Sequence, residues 1–511
     1  MSIETKYPVD FDKARVPVPD WSCRILTLAI AGILFLTLFP FEFAFHLRFH
    51  GSNSPFLLQS GMKSGGAFDD FLNVSLFVPF GFGLSELARR RGISRRSALI
   101  LALAAGAIFS YGIEFLQNYV PSRDAGWHDV LTNTAGAAVG FALFELVGTM
   151  ALWVLSALER ALGRLLTPWR AAWLIPLYFL LWFAASIHLQ KETQPINWDP
   201  NSLLVVGNTA AGRQGSGWKG KVNRLEFWNH PLPDDLASRL TAGDASILDS
   251  IGPLAAYEFS AAAPFRDQQG LLPDLSWKSN FPSALNSGGN ILDGRSWLIS
   301  TDPVTPLFRN IRQTRQFSVH VVCIPEFGEG MDGRIVTISR AAGLVDLDLR
   351  QDDANLILWF RSPISASHSI LAWYIPGIFT PHQKRDIAIS YDGSNLSAYI
   401  DGLRKDRDYE LGPGTSLARL IRRVKPSELI AYKYAYYALL FFTGGILIGI
   451  TCRRLNLKRF VIYIPLAAAI LIPPVVLEVI LVHVSGRMRS IGDIVVGLCL
   501  ALGGCFWINA D

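Results

Sequence analysis

The sequence is poor in charge and in cysteine. Only 17% of its 511 residues are Asp, Glu, Lys or Arg, while half are hydrophobic. This composition is typical of integral membrane proteins and argues against a single soluble domain. Of the five cysteines, only Cys323 lies outside the long apolar segments and their flanks. The region around it therefore cannot form an internal disulfide.

Common catalytic and nucleotide-binding motifs are also missing. The sequence has no P-loop, no dinucleotide fingerprint, no zinc-ligand spacing and no G-x-S-x-G elbow. Their absence argues against ATP-driven transport and against the common types of soluble catalysis. The formal net charge of +5 is small for this length, and the basic residues cluster beside apolar segments. We therefore expect no nucleic-acid partner and no resident metal or other cofactor in the membrane part.

Eight apolar segments are long enough to cross a membrane. They are predicted at about 23–43, 70–88, 97–118, 129–155, 171–188, 430–451, 461–483 and 490–508. The second is interrupted by VPFGFG, a break that membrane helices tolerate when neighbouring helices satisfy the freed backbone groups. The first has no cleavage signature and is expected to remain as an anchor.

Lysine and arginine are distributed unevenly between the two ends of these segments. One side carries sixteen, within positions 6–24, 89–96, 160–170 and 453–459, whereas the other carries five. Because the richer side normally faces the cytoplasm, both termini are expected there and residues 190–425 on the opposite side. The predicted domains are a tail (1–22), a five-span membrane domain (23–190), an exported domain (195–420) and a three-span membrane domain (428–511).

One stretch, from Glu114 to Gly140, brings an acid, a base and an acid to one membrane face. Glu114 ends the third span, Arg123 lies in the connection and Asp129 begins the fourth span. Charges at or inside membrane spans are costly, so this arrangement predicts a site with these three as catalytic residues. Four more polar side chains are expected at the same end, as substrate-binding residues: Asp70, Asn73, Gln117 and Asn133.

The same spacing of charges recurs near the C-terminus. The second copy, with intervals of nine and then six positions like the first, consists of Glu478, Arg487 and Asp493. Each glutamate ends one apolar segment and each aspartate begins the next. Glycines follow in both copies, and they predict close helix packing: Gly136, Gly140, Gly503 and Gly504.

Residues 69–140 resemble the VanZ family of small bacterial membrane proteins, which is named for a member linked to resistance to the glycopeptide teicoplanin. The matching pieces are DDFLNVSLFVPFG, YGIEFLQ and RDAGWHDVLTNTAGAAVG, and the last fits the family pattern R-x5-D-x3-N-x2-G-x3-G. The resemblance implies an envelope-associated protein of the bacterial inner membrane but no particular reaction. The second copy departs from the pattern, since Gly497 replaces the Asn and Leu500 replaces the first Gly.

Between the fifth and sixth spans the sequence changes to short alternating strands with Gly, Asn and Asp turns. Examples are RIVTIS (334–339) and DIAISYDGSNLSAYIDG (386–402). Period-two alternation with turn signals about every 8–12 residues predicts a β-sandwich. The turns around Leu396–Ile400 predict a hairpin. The fold class is therefore a polytopic α-helical membrane protein with an inserted all-β sandwich.

Parts of this region resemble the concanavalin-like laminin-G jelly roll. WKGKVNRLEFWNHPLPDDLASRL (218–240) is similar to its usual last strand, AAYEF (255–259) and SWLIS (296–300) to early strands, and ISYDGSNLSAYIDG to its late hairpin. This order implies a circular permutation. Folds of this kind often bind glycans, sometimes with Ca²⁺, although fold alone does not define function. The candidate calcium carboxylates are Asp346, Asp348, Asp352 and Asp353.

Each charged membrane residue also has a structural interpretation. Asp129, like Asp70 and Asp493, would be favoured at a helix N-terminus by unpaired N–H groups and the helix dipole. The arginines near span ends would reach lipid headgroups. Glu114 has two interpretations that stay open. It forms either an ion pair with Arg123 that joins two helix ends, or part of a substrate or headgroup site.

Two functions from different classes follow, both with membrane lipids as partners. In the first, a non-catalytic protein of the cell envelope or of exopolysaccharide biology binds a glycan or another surface polymer through the exported sandwich. In the second, an integral-membrane enzyme or lipid-handling protein acts on a lipid-linked envelope precursor. Arg123 would hold its phosphate or carboxylate, and Glu114 would act as acid or base. Asp129 and Asn133 would orient the substrate or bind a cation.

Overall fold

The computed structural model describes most of the chain. The described residues are 21–38, 67–119, 126–212, 217–244, 246, 252–260, 263–279, 291–328, 330–340, 344–365, 372–405, 409–421, 424, 428–454 and 463–509. Arg123, one of the predicted site residues, lies outside these ranges.

Within the described ranges, eight helical segments are long and apolar enough to cross a membrane. Before the β region these are α1 (Trp21–Leu38), α2 (Ala67–Arg90), α3 (Arg95–Gln117), α4 (Trp127–Leu165) and α5 (Pro168–Lys191). Three short helices follow, α6 (Asp234–Thr241), α7 (Thr305–Thr314) and α8 (Pro413–Ile421). The last apolar helices are α9 (Leu429–Tyr437), α10 (Thr443–Arg454), α11 (Tyr463–Ser485) and α12 (Ile491–Asn509). A π-helical turn, Ala438–Phe442, joins α9 to α10 into one segment.

The helices differ from the predicted apolar segments mainly at their ends. α2 continues through Pro79, so VPFGFG does not interrupt it. α4 extends ten residues beyond the predicted end at 155, because the amphiphilic stretch after it still favours helix. Hydropathy detects the part of a helix that is apolar, whereas the backbone continues to the next helix-breaking sequence.

The chain divides into two compact units. The first comprises residues 1–177, 442–470 and 500–511, and the second comprises residues 178–441 and 471–499. The second unit therefore contains the whole β region, part of α5, all of α9, most of α11 and the first half of α12.

Glycines form the contact between α2 and α4 in the first unit. A Cβ atom added at Gly140 would overlap the carbonyl oxygen of Val78, and one added at Gly136 would overlap that of Val74. On the facing helix, a Cβ at Gly81 would overlap the backbone of Ala137. Small residues let helix backbones approach closely in membranes. Gly136 and Gly140 thus pack closely against the backbone of α2, as predicted.

The β region consists of fifteen strands in the described part. They are β1 (Leu203–Val206), β2 (Lys219–Trp228), β3 (Ala255–Glu258), β4 (Leu275–Ser279), β5 (Ile291–Asp293), β6 (Ser296–Ser300), β7 (Phe317–Pro325), β8 (Asp332–Arg340), β9 (Leu344–Asp352), β10 (Asn355–Phe360), β11 (Trp373–Ile375), β12 (Arg385–Tyr391), β13 (Asn395–Ile400), β14 (Leu403–Arg404) and β15 (Tyr409–Glu410). One antiparallel sheet has the order β11-β10-β9-β8-β1-β6-β4, and the other β14-β13-β12-β7-β2-β3, with β15 on β13 and β5 on β2.

Both sheets contribute side chains to one hydrophobic core, so the β region has the two-sheet architecture that alternation predicted. On β7, Phe317, Val319, Val321 and Cys323 point into this core. The residues between them point to the opposite face of the sheet. Part of that face is covered by α6, whose Ala237 packs in a second small cluster with Trp228, Ala388 and Tyr399. The predicted hairpin strand is also present, since β13 pairs with β12.

Candidate functional site

Polar side chains from three helices meet at one end of the first unit. The first cluster is defined by Asp70 and Asn73 on α2, Ser110 and Glu114 on α3, and His128, Asp129 and Asn133 on α4. Glycine packing of α2 against α4 brings these helices close enough for short side chains to bond across them.

Two hydrogen bonds join the start of α2 to the start of α4. Asn73 Nδ2 donates to Asp129 Oδ1 at 2.8 Å, and His128 Nε2 lies 2.6 Å from Asp70 Oδ1. Asp129 also lies in the first turn of α4, where the helix dipole favours a carboxylate. The helix N-terminus therefore stabilises this carboxylate, as the structural interpretation predicted, and Asn73 of α2 also donates a hydrogen bond to it.

Glu114 is buried, with 2% of its surface exposed. Its Oε2 accepts a hydrogen bond from the backbone N–H of Gly126 at 3.0 Å, so the end of α3 is joined to the N-cap residue of α4. A buried carboxylate needs such donors, since leaving it without them is costly. The ion pair with Arg123 falls outside the described residues and stays a prediction.

Asn133 and Gln117 have different surroundings. Asn133 Nδ2 donates to Ser110 Oγ at 2.9 Å, and among the described residues its buried Oδ1 has no hydrogen-bond partner. Gln117 Nε2 donates to the carbonyl oxygen of Thr37 at 2.9 Å, so it joins α3 to the end of α1. The predicted binding role thus has a free acceptor at Asn133, while Gln117 is engaged in packing.

The second copy forms a buried network of charges in the second unit. This second cluster is defined by Glu410, Lys433, Tyr437, Glu478, Arg487 and Asp493. Arg487 pairs with Glu478 and, at 3.2 Å, with Asp493. Lys433 Nζ lies 2.7 Å from Asp493 Oδ1 and 2.9 Å from Glu410 Oε1. The ion pair that joins two helix ends, one of the two interpretations left open for Glu114, is thus present at the equivalent position of the second copy.

The groups of the second cluster that lie outside the apolar helices have shifted pKa values. Burial lowers the pKa of Arg487, but surrounding acidic side chains, including Glu478 and Asp493, outweigh it and raise that pKa overall. Burial raises the pKa of Glu410, and the ammonium group of Lys433 acts against this shift. Lys433 therefore favours the ionised form of Glu410 against the effect of burial.

The two copies share backbone and side-chain geometry. The N–H of Gly126 donates to Glu114, and the N–H of Ser490, also twelve residues after its glutamate, donates to Glu478 at 2.7 Å. Tyr437 stands at the position equivalent to Asn73, and its hydroxyl donates to Asp493 Oδ2 at 3.3 Å. In both copies a backbone N–H thus donates to the glutamate, and a side chain from the equivalent position of another helix donates to the aspartate.

The glycine contacts recur at the same sequence offset. A Cβ added at Gly445 would overlap the carbonyl oxygen of Ala501, and one added at Gly504 would overlap that of Phe442. These contacts correspond to Gly81 with Ala137 and to Gly140 with Val78. In contrast, a Cβ at Gly503 would meet only ring atoms of Phe442 at 3.9 Å, so its predicted packing role does not extend to a backbone contact.

The comparison with known protein families concerns the part of the chain that holds the first cluster. Residues 25–148 match the model of the VanZ/LLP1 family. This segment is a VanZ-like domain. Comparison with curated proteins and comparison with solved structures each give no match. The VanZ-like domain therefore includes all the described residues of the first cluster, and with the apolar helices it identifies a membrane protein.

The two copies differ in what surrounds them. At the position of Asn133 the second copy has Gly497, and at the position of Ser110 it has Pro474, whose Cβ would lie 2.9 Å from a Cβ at Gly497. An apolar contact thus replaces the polar pair of the VanZ-like domain. The cavity beside Arg487 and Lys433 is only about 10 Å³, which barely holds one water. The second cluster is closed, whereas in the first, among the residues that the structure describes, Asn133 Oδ1 has no hydrogen-bond partner.

Three of the four candidate calcium carboxylates are engaged by protein groups: Asp346, Asp348 and Asp353, the last accepting a hydrogen bond from the N–H of Gly330 at 2.7 Å. Asp346 accepts hydrogen bonds from Ser202 Oγ at 2.5 Å and from the N–H of Asp199 at 3.1 Å, and burial raises its pKa. Asp348 pairs with Arg334 at 3.3 Å. In the described ranges no three His, Cys, Asp or Glu side chains form a group that could hold a metal ion.

Several residues of both clusters were not among the predicted site residues. They are Ser110, His128, Glu410, Lys433 and Tyr437. The signal for Tyr437 is in the sequence, since it stands where the first copy has Asn73. Lys433 lies near the start of the sixth predicted apolar segment, which does not by itself indicate a site. Its two carboxylate partners come from β15 and α12 and are neighbours only in the fold.

Proposed function

We propose that this VanZ-like protein is a bacterial inner-membrane protein of the cell envelope or of exopolysaccharide biology. Its two-sheet β region lies outside the cytoplasm and binds a glycan or another surface polymer. Both termini are cytoplasmic. The membrane part anchors the β region and requires no chemistry of its own.

The observation that carries this proposal is a complete β region inserted between apolar helices. It follows α5 and precedes α9 in the chain, and it has its own core of side chains from both sheets. The excess of lysine and arginine at the opposite ends of the spans supports its export. Resemblance of its strands to the laminin-G jelly roll supports glycan recognition, as an analogy of fold.

Binding of envelope glycans tests the proposal. We expect the full-length protein in lipid nanodiscs to be retained selectively on one class of glycan in an array of bacterial envelope polysaccharides. Empty nanodiscs and heat-unfolded protein are the controls. If calcium contributes through Asp346 or its neighbours, chelation will abolish retention. A folded preparation that binds no glycan above the control would refute the proposal.

The unpaired acceptor of Asn133 favours a second candidate function. In this alternative the first cluster handles a lipid-linked envelope precursor, with Arg123 on its phosphate, Glu114 as acid or base and Asp129 as orienting group. Asn133 would then use its free Oδ1 to accept a hydrogen bond from the bound molecule. The buried position of Glu114 near the end of α3 supports its role as acid or base, because burial favours the protonated form that can donate a proton.

Glu114→Gln and Asn133→Ala separate the two candidates. If the cluster handles a precursor, each change is expected to weaken binding of polyisoprenyl phosphate to the protein in nanodiscs at least tenfold, at unchanged protein level. Thr132→Val is the matched control, because the Thr132 hydroxyl bonds the backbone of its own helix. If wild type and both variants bind equally, the first cluster does not handle a precursor, and anchoring remains the role of the membrane part.

A further inference from the structure

A chain of three buried ionisable groups crosses the face of the eight-stranded sheet that points away from the core. His320, on the central strand β7, has Nδ1 2.7 Å from Glu226 Oε2 on β2 and Nε2 2.6 Å from Asp386 Oδ1 on β12. The ring is 1% exposed. Both ring nitrogens have a carboxylate partner, which is the arrangement of an imidazolium that donates twice.

The charge state of His320 follows from these partners. Burial lowers the pKa of the imidazole, but the hydrogen bonds to Asp386 and Glu226 outweigh burial and raise it above its ordinary value. Two further cations lie beside the carboxylates, with Arg224 Nε 3.8 Å from Glu226 and Lys384 Nζ 3.7 Å from Asp386. The result is a row of alternating charges on a sheet face that is elsewhere covered by the apolar side of α6.

A cavity of about 280 Å³ opens over this row, between the sheet and the end of α6. Its polar lining includes Arg224, Glu258 and Lys384 around the floor formed by His320 and Asp386. A cavity of this size lies just below the usual range for small-molecule sites, about 300–1,000 Å³, and has room for about one sugar ring.

An irregularity in β2 directs one more polar group to this cavity. The register of β2 against β7 shifts between Val222 and Arg224, so Asn223 is the extra residue of a β-bulge. Bulges re-aim side chains and are frequent beside binding sites. Asn223 lines the cavity, and among the described residues its buried Oδ1 has no hydrogen-bond partner. Such an acceptor is costly in a folded protein unless a ligand or water satisfies it.

We propose that this cavity binds one unit of a saccharide, through hydrogen bonds from its hydroxyl groups to Asn223, Asp386 and Glu258 and from Arg224 and Lys384. The inference rests on the proposed function, because it names the place where the β region would hold its glycan. A sugar hydroxyl both donates and accepts, and the cavity offers both kinds of group side by side. The lining has two carboxylates, Glu258 and Asp386, and three basic groups, Arg224, His320 and Lys384. Glu226 is outside the lining but pairs with His320 and Arg224, so three carboxylates balance three basic groups, which disfavours a strongly charged ligand.

Two variants test the site without touching the buried chain. Lys384→Ala removes an exposed donor at the rim, and Asn223→Ala removes the unpaired acceptor. We expect each to weaken binding of the full-length protein to its immobilised glycan at least tenfold, with an unchanged melting temperature. Lys278→Ala is the matched control, since Lys278 is exposed on β4 of the other sheet.

The outcomes separate this site from the proposed function. If wild-type protein binds no glycan, both fail. If wild type binds and both cavity variants bind as tightly as wild type, the site is wrong while glycan binding by the protein stands. Weakening by Lys278→Ala to the same extent would also overturn the site, because binding would then depend on charge anywhere on the β region. Loss confined to the two cavity variants supports the assignment.

Discussion

Replacing Arg487 by alanine is expected to destabilise the second unit by about 3–5 kcal/mol, the cost of removing one partner of a buried ion pair. Arg487 bridges Glu478 and Asp493, and all three are at most 6% exposed. Without the guanidinium, two carboxylates would lie close together in a closed space with Lys433 as the nearby cation. The wild-type cavity beside Arg487 and Lys433 is only about 10 Å³, so little solvent is present to screen these charges.

Thermal unfolding in detergent and hydrogen exchange provide the measurements. The variant should melt well below wild type, and exchange should accelerate in residues 478–493 and at β15, because Glu410 is linked to the same network through Lys433. Arg487→Lys should recover part of the loss, since it keeps the charge but not the two-pronged geometry. Arg239→Ala, which removes an exposed pair with Asp244, is the control and should melt like wild type. Wild-type melting and exchange in Arg487→Ala would contradict this account of the second cluster.

The position of the charges could be predicted from sequence, but their partners could not. Hydropathy places Glu114 and Glu478 in the C-terminal parts of helices and Asp129 and Asp493 at the starts of others, although α11 continues to Ser485, beyond Glu478. Spacing along the chain does not reveal that each glutamate accepts a backbone N–H from the residue twelve positions later, nor that Glu478 also pairs with Arg487. Those partners depend on loop conformation, which follows from packing of the helices around it rather than from periodicity.

The β region shows the same limit. Alternation predicts which side chains of β2, β7 and β12 point away from the core, and the hairpin turns fix the register of β12 with β13. The row Glu226, His320 and Asp386 also requires β2 and β12 to flank β7, although they are far apart in sequence. The shift at Asn223 in β2 has no local sequence signal that distinguishes it from a regular strand residue.

Close packing was predicted correctly for Gly136, Gly140 and Gly504, because small residues on a helix surface are visible in the sequence, whereas Gly503 makes no backbone contact. Recurrence of the glycine contacts at Gly81 and Gly445 extends the sequence repeat upstream of its charged residues. Two helix pairs thus keep the same close approach, while the polar residues at their ends have diverged. Among the described residues, one copy retains Asn133 with an Oδ1 that has no hydrogen-bond partner, and the other has an ion network beside a cavity of only about 10 Å³.

Gly140→Leu is expected to be the most damaging change in the first unit. A Cβ at this position would overlap the carbonyl oxygen of Val78, and also backbone atoms of Gly81 and Phe82. Because these are backbone atoms, no rotamer change relieves the overlap, and α2 and α4 must separate. Overpacking typically costs about 1–3 kcal/mol, and an overlap with backbone is expected to reach the upper end of that range. Separation would also break the hydrogen bond between Asn73 and Asp129, so the first cluster would lose its geometry together with the helix contact.

The matched control is Gly112→Leu on α3, where an added Cβ meets nothing within 4 Å. It places the same side chain on an apolar helix and should melt like wild type or slightly higher, because leucine is a better helix former than glycine. Gly504→Leu should repeat the defect, since Gly504 contacts Phe442 as Gly140 contacts Val78. The measurement is the melting temperature in detergent, followed by tryptophan fluorescence. Equal melting of Gly140→Leu and Gly112→Leu would show that the close approach of α2 and α4 is not required for the fold.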